Sequence, residues 1–420
     1  MLDQRESLNG VDPQLAGPAF VLSDNGKGLH AREWASLSNL HDSKKKDSPK
    51  EIGQYGMGSR SYFHYTDVIL VCSNGAYKGI DPRKCITTHG RRKTGWKLSN
   101  CLLPPTNCEQ NARHISHEAN MLFFDNFPAE LRPDCGASFR LPLRRDSDDS
   151  DNSLGAVMSV EKADLLLSQW VDSLKDGKLL LFLANVEEVS IWRWAKDAPR
   201  PTLMQSLRKR YLKGGAFNRL PNTLPPLACE TYTALSEFLA SQNWQELQAL
   251  SCEHVAEVVT TVTAYDYDEK DESCNQSECK LTWLTTQRFN VENVEVIKLL
   301  AAGCKYVPIV SVAVSLDHGS TGVEESPSHL AMTGAAFCSL PIGSLQTHLP
   351  VHLNASFAVH KNRRSLWYED ITTITDGDKH ALWSRWNRLL LNSLRDDATT
   401  FNHERSKVAV YFATHVHYPH

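Results

Sequence analysis

The chain has 420 residues, is 41% hydrophobic and 22% charged, and carries a formal net charge of -4. That balance is ordinary for a soluble globular protein, long enough for two or three cores, and excludes a global basic field that would recruit nucleic acid or anionic lipid. The longest apolar runs, 179–184 and 307–316, are too short to cross a bilayer, and Met1-Leu2-Asp3-Gln4-Arg5-Glu6 has acids where a signal peptide needs a basic then an apolar run. Eleven cysteines with no Cys-x-x-Cys pair point to reduced thiols and a cytoplasmic protein.

In chain order, the apolar runs 19–22 and 68–72 read as buried strands, and 138–143 as another, with Pro142 placing it at an edge or an end. The charge-dense run 144–153 cannot bury apolar area and reads as a linker or exposed loop. Helical spacing of Ala163, Leu166, Leu167, Trp170 and Leu174 predicts a helix over 160–174, with Ser159 as N-cap and Glu161 in its first turn. A strand is expected at 179–183. Trp192-Arg193-Trp194 is either a strand with one buried Trp or a stacked surface element. The basic run 207–213 reads as a helix face, 230–250 as a helix and the acidic stretch 266–278 as a mobile loop. Residues 307–316 suit a central strand. Leu382, Trp386, Leu389, Leu390 and Leu394 form one stripe of a helix over 376–394, and 408–413 closes as a strand. Interleaved strands and helices favour an α/β or α+β fold. The boundaries expected are 1–145, a linker 146–157, and 158–420.

Two glycine-bearing segments carry the chemistry. Asp24-Asn25-Gly26-Lys27-Gly28 places a carboxylate at a strand end, where it can accept the exocyclic amine of adenine, and glycines that let backbone approach a base. Gly53, Gly56 and Gly58 of Gly53-Gln54-Tyr55-Gly56-Met57-Gly58 then offer unobstructed N–H groups to phosphates, helped by the N-terminus of a helix beginning near Ser59. Between them Ser43, Lys44, Lys45 and Lys46 supply a polar, cationic lid. Taken singly, the first segment reads as a turn and the second is a weak motif; their order and spacing, with Ser43 and the lysines between, favour the nucleotide reading. The second is not a dinucleotide fingerprint, since no acid ends a strand ~20 residues on. Nor is it a P-loop, since no Gly-Lys-Ser/Thr follows.

The order of Asp24-Asn25-Gly26-Lys27-Gly28, Leu40-His41-Asp42-Ser43-Lys44-Lys45 and Ile52-Gly53-Gln54-Tyr55-Gly56-Met57-Gly58 resembles the gyrase, heat-shock-chaperone, histidine-kinase and mismatch-repair (GHKL) ATPases, and among them the sacsin-type repeat region. Ile80-Asp81-Pro82, the strand Gly136-Ala137-Ser138-Phe139-Arg140-Leu141-Pro142-Leu143, and the block from Ala336-Phe337-Cys338-Ser339-Leu340-Pro341 to Asn362-Arg363-Arg364-Ser365-Leu366-Trp367 are similar to that region too. The resemblance implies a GHKL-type (Bergerat) α/β sandwich that binds ATP with Mg, followed by a chaperone-like α/β middle domain, and possible protein clients or co-chaperones. It implies ATP contacts from Asp24, Gly26, Gly28, Ser43, Lys45, Gly53, Tyr55, Gly56, Met57 and Gly58, and γ-phosphate contacts from Arg363 or Arg364. The family's Glu- and Asn-bearing first helix has no counterpart before Leu2, so impaired hydrolysis is expected, an enzyme role stays open, and bare strand surface would result. Ala137 stands where the family has a threonine that contributes to base recognition, with Ser138 expected on the opposite face, and Ser59 stands where it has an aromatic.

His114-Ile115-Ser116-His117-Glu118 is not in zincin order, Cys274 and Cys279 have no second pair, and His415, His417 and His420 read as a frayed tail, so no metal site is expected. The competing function is a non-nucleotide protein-interaction platform. A chromatin-linked ATPase is disfavoured by net charge; neither nucleic acid nor membrane is an expected partner.

Overall fold

The computed structural model describes residues 1–6, 15, 17–38, 61–74, 76–82, 87–88, 91–92, 95–98, 136–145, 155–183, 185–212, 253–268, 273–289, 293–301, 306–316, 334–347, 351–360, 363–368 and 379–400. The expected helix at 230–250 and strand at 408–413 lie outside the described residues.

The N-terminal half contributes β1 (Leu2–Asp3), β2 (Ala19–Asp24), α1 (Ala31–Ser38), β3 (Ile69–Ser73), β4 (Ala76–Ile80), a small ribbon of β5 (Thr87–Thr88) and β6 (Arg91–Arg92), β7 (Gly95–Leu98), β8 (Ala137–Pro142), α2 (Val160–Leu174), β9 (Glu188–Trp194) and β10 (Thr202–Tyr211). The rest supplies β11 (Glu253–Asp268), β12 (Ser273–Phe289), α3 (Val294–Ala301), β13 (Ile309–Ser315), β14 (Ala335–Cys338), β15 (Leu340–Gln346), β16 (His352–Ala355) and α4 (Lys379–Thr400). Fourteen of these strands form one sheet, ordered β15-β14-β16-β13-β12-β11-β10-β9-β1-β2-β8-β3-β4-β7. The pairs β1–β9 and β14–β16 are parallel and the others antiparallel.

This corrects the expected fold class. A GHKL-type α/β sandwich followed by a separate α/β middle domain is not what forms; the architecture is a large mixed β-sheet with four α-helices among the described residues. The reason lies in two elements. Strand β1 pairs with β2 on one side and β9 on the other, so the strands before and after the expected linker share one hydrogen-bonded sheet. Within the polar stretch 266–278, expected as a loop, residues 266–268 and 273–278 are strand, part of a β11–β12 ladder paired in register from Glu253↔Arg288 to Asp268↔Ser273.

Among the described residues two large cores and a smaller cluster of Leu181, Val258, Trp283 and Ala313 sit on this sheet. Helix α2 buries Ala163, Leu167 and Leu174 against Leu2, Phe20, Ile69, Val71 and Leu141, and Ser159 caps it by accepting from Lys162 N at 3.3 Å. Helix α4 presses Trp386, Leu390 and Leu394 onto Val310, Val312, Leu353 and Phe357, with α3 alongside. A side chain so buried is worth roughly 1.5–3 kcal/mol. Asn387 of α4 holds the segment that follows β16, accepting from Ala358 N and donating to Ala358 O and Trp367 O, each at 2.8 Å.

Three local expectations change. Residues 179–183 are not a strand: Gly177, at φ +68°, starts a 3-10 turn Lys178–Leu180. The basic run 207–213 is strand β10 and not a helix: Leu207 is buried and Arg208 exposed, but Lys209 is buried because its ammonium reaches the carbonyls of Leu180 and Leu183. The helix start expected near Ser59 lies outside the described residues; Ser61 is helical and a 3-10 turn, Tyr62–His64, follows it. Arg144, counted in the polar run, is buried: it donates to Asp67 Oδ1 (2.9 Å) and to the carbonyls of Phe63, Thr66 and Ala156 (2.6, 3.1 and 2.9 Å). Trp194 of β9 is buried while Trp192 is partly covered. No described helix is long and apolar enough to cross a membrane.

Candidate nucleotide site at the end of strand β2

Asp24 is the last residue of β2 and lies directly across from Ala137, with Ser73 on the far side of Ala137. Its Oδ1 accepts from Gly26 N at 2.9 Å, a side-chain turn that fixes the carboxylate. Among the described residues, Oδ2 has no hydrogen-bond partner, and Asp24 is exposed. Its charge reaches Tyr62, whose phenol is pushed up first by burial and then by the Asp24 carboxylate. Tyr62 in turn packs on Phe139 of β8, ring centroids 5.5 Å apart.

The loop after Asp24 is fastened to the end of β3. Ser73 Oγ accepts from Leu29 N (2.7 Å) and donates to Gly136 O (2.6 Å), while Asn74 Nδ2 donates to Lys27 O (3.1 Å). Two glycines are required here. Gly28, at φ +72°, would place a Cβ 2.5 Å from the Asn74 amide; Gly136, at φ +105°, would place one 1.9 Å from Asp24 O. Ser23 and Ser138 join hydroxyls at 2.8 Å, one position before Asp24 and one after Ala137, so Ser138 lies on the other face of the sheet, as its register predicts. Helix α1 is held over β4 by Lys78 Nζ, which donates to Trp34 O at 3.2 Å.

Of the residues expected to bind nucleotide, Asp24, Gly26 and Gly28 come together beside Ala137 and Tyr62. Ser43, Lys45, Gly53, Tyr55, Gly56, Met57 and Gly58 lie outside the described residues. Arg363 and Arg364 follow β16. Arg363 sits at φ +54° and donates through Nη2 to Cys338 O (2.7 Å), the end of β14; in sheet order seven strands separate β14 from β2. Arg364 is exposed. The described residues hold no group of three or more His, Cys, Asp or Glu that could bind a metal.

The composition of the core strands conceals a charged cluster behind this site. Arg140 of β8 is 1% exposed and donates to Asp3 Oδ2 (2.8 Å) and Gly17 O (2.8 Å). Arg5 grips the same carboxylate at 2.9 and 3.0 Å and lies 3.5 Å over the Trp194 ring. Burial alone would raise the Asp3 carboxyl, but hydrogen bonds and charge from Arg5 and Arg140 outweigh it and hold it below the usual carboxylate value. A charged residue alternating with Phe139 and Leu141 in an otherwise buried strand was the signal for this cluster.

Residues 2–206, which contain the Asp24 corner, the charged cluster and strand β9, match the family described as the Sacsin domain. This stretch is thus similar to a sacsin-type region. Over 382 residues, 88% of this chain, it is 25% identical to sacsin of Homo sapiens, of whose length it spans 8%.

Proposed function

We propose that this chain is a sacsin-like scaffold or chaperone module that binds ATP, with the adenine amine held by Asp24. The observation that carries this reading is the Asp24 carboxylate. One oxygen is committed to Gly26 N, the other is presented at the surface, and the floor around it is backbone at Gly26, Gly28, Gly136 and the small Ala137. A carboxylate at a strand end with glycine backbone beside it fits an amine-bearing planar base, and a hydrogen bond to a charged partner contributes roughly 1.5–3 kcal/mol. ATP, with Mg on its phosphates, would supply a ligand whose binding stabilises the fold; protein clients are the partners that a scaffold of this kind would carry.

The test is a thermal shift with Mg-ATP. Binding at one hundred times Kd stabilises by ~2.7 kcal/mol, visible as a rise in Tm. Asp24→Asn keeps an acceptor for Gly26 N but can turn an amide toward the base amine; its Tm without ligand should match the unmutated protein and the ATP-induced rise should vanish. No rise in the unmutated protein sinks the proposal. That result would favour a non-nucleotide protein-interaction platform, a reading supported by the exposed stretch 274–280 of β12.

A further inference from the structure

The β11–β12 hairpin outruns its neighbours. Strand β12 pairs with β13 from Phe289↔Ile309 to Trp283↔Ser315, and the ladder ends where Leu316 N donates to Thr282 O at 2.8 Å. Toward the hairpin tip, Ser273 to Leu281 have β11 on one side and no strand on the other among the described residues. Residues 274–280 are all exposed. Nine residues of open edge run for roughly 30 Å at ~3.3 Å each. Long open edges are templates for another strand.

The direction of the unused backbone groups can be read from the existing ladder. Thr282 is hydrogen-bonded toward β13, so the even-numbered residues of β12 point N–H and C=O to the open side and the odd ones point to β11. A second copy adding antiparallel through a two-fold axis must then place that axis on one residue. An axis at Glu278 or Lys280 sets like charges opposite each other. An axis at Cys279 sends the second strand into Leu316 after five paired residues. An axis at Ser277 sets 273 against 281, so the nine paired residues use the whole open edge and end before Leu316. It also sets Gln276 opposite Glu278 of the second copy, twice, an amide donor facing a carboxylate, with Lys280 3.6 Å from Glu278 on the same strand.

We propose that two copies of this chain pair antiparallel through residues 273–281 of β12, about a two-fold axis at Ser277. Self-pairing closes both edges in one contact, whereas an unrelated strand would leave the second copy's edge open. Ser277 is an odd-numbered position, so across the axis it forms a non-hydrogen-bonded pair with Cα atoms ~4.5 Å apart, inside the range a disulfide spans.

The full chain is tested by sedimentation equilibrium and by crosslinking. The unmutated protein should show a reversible monomer–dimer equilibrium. Gln276→Pro removes an outward N–H while sparing the β11 ladder, and should give a folded monomer by circular dichroism. Ser277→Cys, in a background of Cys274→Ser and Cys279→Ser, should form a disulfide dimer with oxidised glutathione: two thiols become one disulfide and two glutathione thiols are released. Crosslinking of this variant should exceed by ten-fold or more that of a Cys274→Ser protein, which keeps Ser277 and Cys279. An unmutated protein that is monomeric at every concentration, a Gln276→Pro variant that still dimerises, or crosslinking through Cys279 as fast as that of the Ser277→Cys variant would each overturn the proposal.

Discussion

Acidification should weaken this protein through one buried imidazole. His352 of β16 is 7% exposed, its Nδ1 accepts from Ala335 N at 2.9 Å, and its ring lies 5.4 Å from Trp283 and 5.7 Å from Phe337. A ring accepting at Nδ1 is the neutral form with its proton on Nε2; a second proton would orphan the Ala335 N–H and place a cation among aromatics. Burial first, and then the nearby Lys178, bring its pKa from 6.5 to about 4. The unfolded chain takes up the proton near 6.5 and the folded one only near 4, so stability is full above that window and declines as pH falls through it. At 1.36 kcal/mol per pH unit the loss is roughly 3 kcal/mol, a large part of the ~5–15 kcal/mol that holds a domain together. Asp3, held below the usual carboxylate value, titrates beneath this window. Urea unfolding of the unmutated protein and of His352→Asn, whose amide oxygen can still accept from Ala335, would be followed from neutral pH to about pH 4. The unmutated protein should lose its advantage over the variant by roughly 3 kcal/mol across the window. Parallel stability curves would show that His352 protonates freely and that the packing argument is wrong.

Three further outcomes follow from groups described above. Asp3→Asn leaves Arg140 buried beside a neutral partner and should cost ~3–5 kcal/mol, read as a lowered urea midpoint with unchanged m-value. Gly136→Ala forces a side chain at φ +105° into Asp24 O; it should cost at least ~1–3 kcal/mol, with a lowered Tm, and displace the Asp24 corner enough to reduce ATP-induced stabilisation. Asn387→Ala orphans the N–H of Ala358 and the C=O of Trp367, while Ala358 O keeps its bond from Trp367 N at 3.0 Å. It should cost ~3 kcal/mol or more and remove hydrogen-exchange protection at Ala358.

The readable parts of the fold were those where burial follows a local period. Helix α2 announced itself through Ala163, Leu167 and Leu174 and its Ser159 cap; β2, β3, β8 and β13 did so through short apolar runs, and α4 through Trp386, Leu390 and Leu394. The unreadable parts depend on distant partners. Nothing in Ser273 to Cys279 is apolar enough to mark a strand, and its pairing with β11 is set by register carried out from Trp283 and Val258. Lys209 hid a strand because the cation in its buried position breaks the alternation, and the carbonyls that receive it lie in a turn ~26 residues away. Arg144 read as solvent-facing for the same reason: its acceptors lie on Phe63, Thr66 and Asp67. At the proposed nucleotide corner the sequence singled out Asp24, Gly26 and Gly28, but not Asn74 or Ser73, which hold the loop and carry no motif of their own.

Strand β1 has a consequence for the order in which the protein is made. Two residues, Leu2 and Asp3, join the strands β2 to β8 on one side to β9 on the other, and Leu2 pairs with Arg193. That contact spans 191 positions of chain, the difference between 193 and 2. At ~5–20 residues per second of synthesis, Leu2 waits roughly 10–40 s on the ribosome for its parallel neighbour to emerge. Until then the Asp3 carboxylate can engage Arg5 and Arg140, but the Trp194 ring that Arg5 covers does not yet exist. The sheet is therefore spliced late, by a strand made early, and that join is where interrupted synthesis would leave an edge uncovered.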